Sequence, residues 1–361
     1  NIKFVGLHAH SVAGSIFDGL GFPQDHMDFA YSNGSDALAL TDHGNMNGLS
    51  YQVLHAKKMK AEGRNFKPIF GCEAYFLPSI DDWKEEYEQV MQDKKRARQA
   101  KKAGASAASV EDEGESKGKS SNVLRRRRHL VLIAQSQKGL NNLFKLVSES
   151  YKDENFYRYP RIDYKMLKKY GEGIIASSAC LGGVYAGNYW ENRDEGPAAV
   201  LSAMRETTRQ MVDIFGDRWY GEIQWNNIPE QHELNKFIIQ VCEEFGVEII
   251  STADSHYPGP EAWKDRELYK RLGWLGKGRP QWADSESELP VSVDEIGYEL
   301  YPKNGDQMWE SYKHYSGLCE ADYDDKLVLR SIEETHRIAF ERIDDFLPDN
   351  TVRLPSFVVP A

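Results

Sequence analysis

Residues 2–10 read IKFVGLHAH, an apolar run that ends in two histidines one residue apart. A similar pattern lies near the other end of the chain, where EIISTADSHY carries Asp254 and His256. Side chains two residues apart in a strand point to the same face, so each pair is able to coordinate one ion if its strand continues that far. Two such pairs, each following an apolar run, predict a metal site at one edge of a buried sheet.

Other side chains that are able to bind metal lie at the margins of further apolar runs. His43 lies in ALALTDHGN, Glu73 in KPIFGCEAY, and Cys180 ends IIASSAC. Imidazole and carboxylate groups with one thiolate suit zinc, manganese or iron, and the mixture does not select among these metals. A single histidine is more often an ordinary core or surface residue. HxH, TDH, a strand glutamate and DxH in that order are a much stronger signal, and they predict one polynuclear centre.

Other potential ligands have weaker or no support from the sequence pattern. Asp18 lies in a loop and His129 opens the run HLVLIAQ, so placement at a strand end supports neither of them. Cys72 neighbours Glu73 and is expected to face the opposite side as a small buried hydrophobe. Five histidines in polar, helix-like contexts are assigned no chemistry: His26, His55, His232, His314 and His336.

Short apolar runs alternate with amphipathic stretches as far as about residue 275. Runs rich in Ile, Val, Leu and Phe on both faces predict parallel strands covered by helices. The predicted strands are 3–7, 36–41, 67–75, 129–135, 173–177, 218–225 and 247–252, and the predicted helices are 23–34, 49–62, 137–151, 196–214 and 230–245. Seven β–α alternations favour an α/β closed barrel over an open sheet, because such barrels gather functional groups at one rim.

Two segments interrupt or follow this alternation. Residues 81–128 form a charged insertion, expected to be partly helical and partly disordered because its low apolar content cannot support a core. Its clusters KKRARQAKK and RRRR either contact a phosphate backbone or are simply solvated, as charge runs commonly are. Beyond about residue 285 the pattern predicts a small helical tail. We therefore divide the chain into a domain at 1–285 and a helical linker at 286–361.

Composition narrows the functional classes. The chain has 361 residues, 40% of them hydrophobic and 12% aromatic, which is enough for one large domain with an appendage. A net charge of −11 argues against nucleic-acid binding over the whole surface, although not against a local basic path. Four widely spaced cysteines without a CxxC pair favour a reducing cytoplasm. No run approaches the roughly 20 apolar residues that a bilayer span requires, so no membrane association is expected.

The ordered motifs resemble a known family. HAHS, FDGLG, ALTDHGNMNG, KPIFGCEAY, HLVLIAQSQKGLNNLFKLVSESY, ASSACLGG, GEIQWNNIPEQ and TADSHY are similar to the PHP domain (polymerase and histidinol phosphatase) of bacterial-type DNA polymerase III alpha subunits. The similarity covers about residues 3–275 apart from the insertion. Residues 295–358 resemble the stretch that links this domain to the polymerase palm, with LPSF at 354–357.

This resemblance implies a distorted (β/α)7 TIM-like barrel with three divalent ions at one rim, each zinc, manganese or iron. It places nine side chains in three groups: His8, His10, Glu73 and Asp254 around one ion; Glu73 with His129 and Cys180 around a second; Asp18, His43 and His256 around a third. Catalysis would be metal-centred, with no separate side chain assigned. Because some family members have lost ligands, the complete set here is typical of an active form.

The activity that the resemblance implies is proofreading 3′–5′ exonuclease action, with DNA 3′-terminal phosphodiesters hydrolysed by a metal-activated hydroxide. The implied partners are a DNA primer 3′ end, downstream polymerase domains of the same chain and other replisome subunits. The implied location is the cytoplasm of a bacterial cell, for a bacterial or a phage protein. Two alternatives stay open: a catalytically silent, metal-stabilised structural module of the polymerase, and a small-molecule phosphomonoesterase.

Overall fold

The computed structural model describes residues 1–102, 123–276 and 290–357. Its eight strands are β1 (Ala37–Leu40), β2 (Lys67–Phe76), β3 (Arg128–Ala134), β4 (Phe156–Tyr157), β5 (Tyr159–Ile162), β6 (Ile174–Ser177), β7 (Trp219–Gln224) and β8 (Ile249–Thr252). The helices of the N-terminal half are α1 (Pro23–Ser32), α2 (Leu49–Ala61), α3 (Ile80–Lys102), α4 (Gln137–Ser150), α5 (Tyr164–Tyr170) and α6 (Val184–Asn192). Those that follow are α7 (Pro197–Phe215), α8 (Pro229–Phe245), α9 (Trp263–Gly276), α10 (Val293–Ile296), α11 (Gly305–Leu318) and α12 (Asp325–Arg337).

The sheet curls into a barrel that the N-terminal segment closes. The strands pair in the order β1, β2, β3, β6, β7 and β8, and β5 adds to β2 at one end. Residues 6–10 then bridge the two edges. The amide of Ala39 donates to the carbonyl of Gly6 at 2.8 Å, and the amide of His10 donates to the carbonyl of Ser255 at 2.7 Å. Six strands and the N-terminal segment therefore surround the core as seven segments, which confirms the predicted distorted (β/α)7 barrel.

Strand β3 corrects the expectation of an all-parallel sheet. It runs antiparallel to both of its neighbours, β2 and β6. The start of an antiparallel strand lies at the same edge as the ends of its neighbours. His129, near the start of β3, therefore lies at the rim where Glu73 approaches the end of β2. The position of His129, which strand geometry did not predict, follows from this reversal.

The predicted strand at 3–7 is also wrong, because this segment makes only isolated bridges. Leu7 packs in the cluster that includes Val131 and Ile250, whereas Ala9 packs with Met27 of α1. The alternation of faces expected of a regular strand therefore breaks between residues 7 and 9. Pairing to both edges of the barrel, rather than a regular strand, holds this segment.

The insertion is anchored at both ends. Helix α3 starts with the buried side chains of Ile80 and Trp83, and the indole of Trp83 donates to the carbonyl of Val123 at 2.8 Å. The helical part of the prediction is confirmed over Ile80–Lys102, while the part expected to be disordered at 103–122 lies outside the described residues. The hairpin of β4 and β5 and the helices α5 and α6 were not predicted, since their short segments carry little periodic signal.

The helices of the tail pack against the barrel. Met308 and Tyr312 of α11 and Ile332 of α12 share one buried cluster with Trp225 and Ile238. The hydroxyls of Ser251 and Ser331 are 2.7 Å apart, joining β8 to α12. The division at 285 and 286 stays a prediction. Within the three described ranges, no helix has the length and apolar character needed to cross a membrane.

Candidate metal centre

All nine side chains predicted as metal ligands converge at one rim of the barrel, around the fully buried carboxylate of Glu73. Its closest approaches are to His43 Nδ1 at 2.6 Å, His8 Nε2 and His129 Nδ1 at 3.2 Å, His10 Nε2 at 3.4 Å and Cys180 Sγ at 3.9 Å. Two atoms of one carboxylate thus contact five potential ligands. This is the geometry expected of a bridging residue.

Two further carboxylates extend the cluster on either side of Glu73. Asp254 Oδ1 lies 3.2 Å from His8 Nε2 and 3.1 Å from His10 Nε2. Asp18 Oδ2 lies 3.1 Å from His43 Nε2 and 3.7 Å from His256 Nε2. The Asp254 side is deeply buried, whereas the Asp18 side chain is 36% exposed and marks the opening of the site.

Three sets of ligand atoms, each within 4.8 Å of one another, could each hold an ion: His8, His10 and Asp254; His43, Glu73 and His129; His10, His43 and His256. The first set agrees with the grouping that the resemblance implied. The second set has His43 in place of Cys180, and the third has His10 in place of Asp18, so these two differ from the implied grouping. The rings of His10 and His43 stack at 4.1 Å.

Buried polar atoms without hydrogen-bond partners give the strongest sign of a bound cation. Five atoms of the cluster are in this state: His8 Nε2, His10 Nε2, His43 Nδ1, Glu73 Oε2 and Asp254 Oδ1. The 2.6 Å contact between His43 Nδ1 and Glu73 Oε2 lacks hydrogen-bond geometry, so neither atom gains a hydrogen-bond partner from it. Leaving a buried polar atom unpaired costs about 1–3 kcal/mol, and ligation of divalent ions by these atoms would remove that cost.

The electrostatics of the cluster fit the same chemistry. Burial lowers the pKa of His10 to about 3, and the neighbouring rings of His43 and His256 add to this effect. Burial would also lower the pKa of His8, but Asp254, Glu222 and Glu73 raise it well above its ordinary value. In the absence of ions, protons therefore neutralise part of the carboxylate charge. Divalent ions would compete with those protons for the same atoms.

Two strained backbone positions aim ligands into the site. Asp254 has φ 49° and Ala179, directly before Cys180, has φ 60°. Residues other than glycine rarely adopt this left-handed backbone conformation, and those that do concentrate at functional sites. Strand β8 ends at Thr252, so the condition under which a continuing strand would carry Asp254 and His256 is not met. A left-handed turn brings them together instead.

Glu222 contacts the cluster and was missed by sequence reasoning. It is buried, and its Oε1 lies 2.6 Å from His8 Nδ1. The hydroxyls of Thr252 and Ser177 donate to the two carboxylate oxygens at 2.5 and 2.6 Å. A carboxylate that holds the second nitrogen of a histidine orients the first and makes it a stronger ligand. An acidic residue at an inward position of the buried run WYGEIQ was the available signal.

Glu222→Gln is expected to weaken binding of divalent ions by about 10- to 100-fold while the fold is retained. The amide keeps the shape of the side chain but removes the charge that polarises His8. Titration of zinc or manganese against a competing chelator measures the affinity. Glu243→Gln, on the exposed side of α8, is the matched control. Equal affinities for Glu222→Gln and the unchanged protein would contradict this role.

The histidines assigned no chemistry lie outside the cluster. His232 contacts the Tyr323 hydroxyl at 2.7 Å and the carbonyl of Asn226 at 2.8 Å, which ties α8 to its neighbours. His26 is buried in α1 and contacts the carbonyl of Leu20 at 2.8 Å. Cys72 is fully buried in the core, as expected.

Comparisons with a family model and with known protein sequences lead to the same family. A family model described as PHP domain matches residues 6–226. DNA polymerase III subunit alpha of Aquifex aeolicus (strain VF5) is 38% identical over 359 residues, which are 99% of this chain and 26% of that protein. The same subunit of Borreliella burgdorferi is 30% identical over 354 residues, 95% of this chain and 24% of that protein. The chain thus spans about a quarter of the length of these relatives.

Among solved structures, histidinol phosphate phosphatase from Lactococcus lactis, complexed with zinc, L-histidinol and phosphate, aligns with 77% of this chain and 95% of its own. The identity is 13% and the TM-score is 0.32. The assignment of this chain rests on the family model, which covers more than half of it, and on the sequence relatives, which match it nearly from end to end. The chain belongs to the PHP domain family.

Proposed function

We propose that the nine clustered side chains hold three divalent ions and that the site hydrolyses phosphate esters. The observation that carries this proposal is the set of five buried, unpaired ligand atoms around Glu73. Histidine, carboxylate and one thiolate suit zinc, manganese or iron. Bound ions of this kind supply Lewis acidity, which activates water near neutral pH and stabilises charge on phosphoryl oxygens.

The chain's own residues prepare the site for this chemistry. Glu222 holds His8 through Nδ1, which leaves Nε2 facing Asp254 and Glu73. His256 Nδ1 contacts the backbone carbonyl of Asp254 at 2.6 Å, so that Nε2 faces Asp18. Asp42 accepts hydrogen bonds from the Ser11 amide and from the hydroxyl of Ser15 at 2.6 and 2.8 Å, which holds the loop carrying Asp18. Preorganised ligands of this kind need little rearrangement to bind ions.

We further propose that the substrate is the 3′ end of a DNA primer and that the reaction is 3′–5′ exonuclease proofreading. The relatives that support this substrate are DNA polymerase III alpha subunits. In this proposal the present chain is the PHP region of such a subunit, next to polymerase domains of the same chain and close to other replisome subunits. The partly exposed side of the site at Asp18 gives a strand end access to the ions.

Incubation with a 5′-labelled primer carrying a mismatched 3′ end tests this activity. With manganese or zinc, we expect a ladder of products shortened one nucleotide at a time, and none without metal. Absence of shortening by protein that elemental analysis shows to hold its ions would contradict the exonuclease. Turnover of a phosphomonoester far faster than of DNA would instead favour a small-molecule phosphatase.

One observation favours a second candidate, a structural module without catalysis. His8, His10 and Glu73 are almost completely buried, so ions there would stabilise the barrel whether or not a substrate arrives. A variant that keeps its fold and loses its activity would distinguish a catalytic site from a purely structural one.

A further inference from the structure

The four arginines at 125–128, which lead into strand β3, have different surroundings. Arg126 Nη1 lies 2.9 Å from Glu86 Oε2 in helix α3. Arg128 forms an ion pair with Glu191 of helix α6. Both charges are therefore compensated inside the fold. This part of the arginine run links the barrel to its surrounding helices.

Arg127 is different, because it forms no ion pair with any residue in the described ranges. Its Nη1 donates to the backbone carbonyl of Arg125 at 3.1 Å, and its buried Nε has no hydrogen-bond partner. The guanidinium carbon lies 4.0 Å from the ring centroid of Tyr159 and 5.4 Å from that of Tyr75. Cation–π attraction at these distances holds the guanidinium in place without neutralising its charge. We call these three residues the Tyr–Arg–Tyr cluster.

Strand register places this cluster directly beside the metal centre. Tyr75 pairs with His129 across β2 and β3, and residues directly opposite in such a pair share a face. Tyr75 follows Glu73 by two residues in β2, so both face the same side as His129. Arg127 lies just before β3 and contacts the Tyr75 ring on that side. The Tyr75 ring lies 5.7 Å from the His129 ring and 6.3 Å from the His43 ring. The cluster therefore continues the site outward along β2.

An uncompensated guanidinium at this position has a specific chemical use. Its forked donors match the oxygens of a phosphate group. The chain carries a net charge of −11, and the adjacent centre is rich in carboxylates, so general attraction does not draw a polyanion here. A single fixed cation beside the ions would supply that attraction locally. Arg127 is only partly buried, so part of its side chain is accessible from solvent for such a contact.

We propose that Arg127 binds a backbone phosphate of single-stranded DNA whose 3′ end lies at the metal centre, and that Tyr75 and Tyr159 position its guanidinium. This inference rests on the proposed function and names a substrate contact for it. Arg127 would act on binding of the strand. The ions and their ligands would act on the bond that is cleaved.

The test measures binding of a 5′-labelled single-stranded oligonucleotide, with phosphorothioate linkages near its 3′ end to slow hydrolysis, to the full chain loaded with manganese. Arg127→Gln is expected to raise the Kd about tenfold and to reduce the slope of log K against log salt by about 1. Arg127→Lys keeps the charge and hence the slope, but recovers only part of the affinity because it lacks the planar fork. Tyr159→Leu is expected to weaken binding less than Arg127→Gln.

Arg125→Gln is the matched control, since it removes the same charge from an exposed side chain of the same run. We expect it to change the Kd less than about twofold. Equal weakening by Arg125→Gln and Arg127→Gln, or no binding by the unchanged protein, would overturn the proposal. Unaltered ion content in Arg127→Gln shows that the centre is intact.

The two proposals fail in distinguishable ways. If the unchanged protein binds DNA in an Arg127-dependent manner but does not shorten a primer, the exonuclease fails and the phosphate contact stands. If primers are shortened and Arg127→Gln leaves both Kd and KM unchanged, the phosphate contact fails alone.

Discussion

Asp18→Asn is expected to abolish primer shortening, with kcat/KM falling by about a thousandfold or more, because a ligand to catalytic ions contributes several kcal/mol to transition-state stabilisation. Asp18 is suited to this test because of its position. Burial alone would raise the pKa of its carboxyl group, but His43 and His256 lower it well below its ordinary range, so the group is charged. Its side chain is 36% exposed, whereas that of Glu73 is fully buried. An asparagine at this position leaves no deeply buried group unpaired.

The circular dichroism spectrum of Asp18→Asn is therefore expected to match that of the unchanged protein, and its unfolding temperature is expected to fall by no more than the loss of one ion would cause. Asp213→Asn, on the exposed face of α7, is the control for removing one negative charge. A folded variant without activity supports catalysis. Full activity in folded Asp18→Asn would contradict the proposed role of this carboxylate, and an unfolded variant would favour the structural module.

Removal of the ions is expected to lower the unfolding temperature by roughly 10 °C or more. Each site stabilises the folded state by about 2.7 kcal/mol when the free ion is present at 100 times its Kd, and three sites are proposed. The physical reason is the cluster itself, in which five buried ligand atoms lose their partners when the ions leave. Calorimetry before and after dialysis against a chelator measures the shift, and adding manganese or zinc back is expected to reverse it.

Glu73→Gln provides the control for chelation, because it removes the carboxylate that contacts five other ligands. Its unfolding temperature is expected to be low and nearly insensitive to chelator. An unchanged unfolding temperature in the ion-free native sequence, with ion loss verified by elemental analysis, would contradict a stabilising metal centre.

The sequence predicted the barrel and the membership of the cluster well for specific physical reasons. Apolar runs on both faces mark buried strands, and six of the seven predicted strands are present. Of the nine proposed ligands, seven came from strand margins, and all nine lie together around Glu73. Asp18 and His129 were included because of the family resemblance, since a loop position and a strand start carry no local signal for a shared rim.

Other features depended on partners distant in the sequence. Glu222 contacts His8 across 214 residues, and although its place in the buried run WYGEIQ marks it as unusual, no local pattern shows which ligand it contacts. Arg127 lies inside a run of four arginines, and both of its neighbours in sequence are also arginines. Only packing leaves its charge without a carboxylate partner among the described residues, against Tyr75 and Tyr159.

The amino-acid sequence by itself determined the alternation of buried strands and helices and the supply of metal-seeking side chains, because hydrophobic periodicity and residue chemistry are local properties. The tertiary structure decided how those side chains meet. It reversed β3 so that His129 reaches the rim, turned the backbone at Asp254, and placed Arg127 beside the centre with no carboxylate partner in the ranges that the structure describes. Strand direction and pairing register depend on hydrogen bonds between distant segments, and no local pattern encodes them.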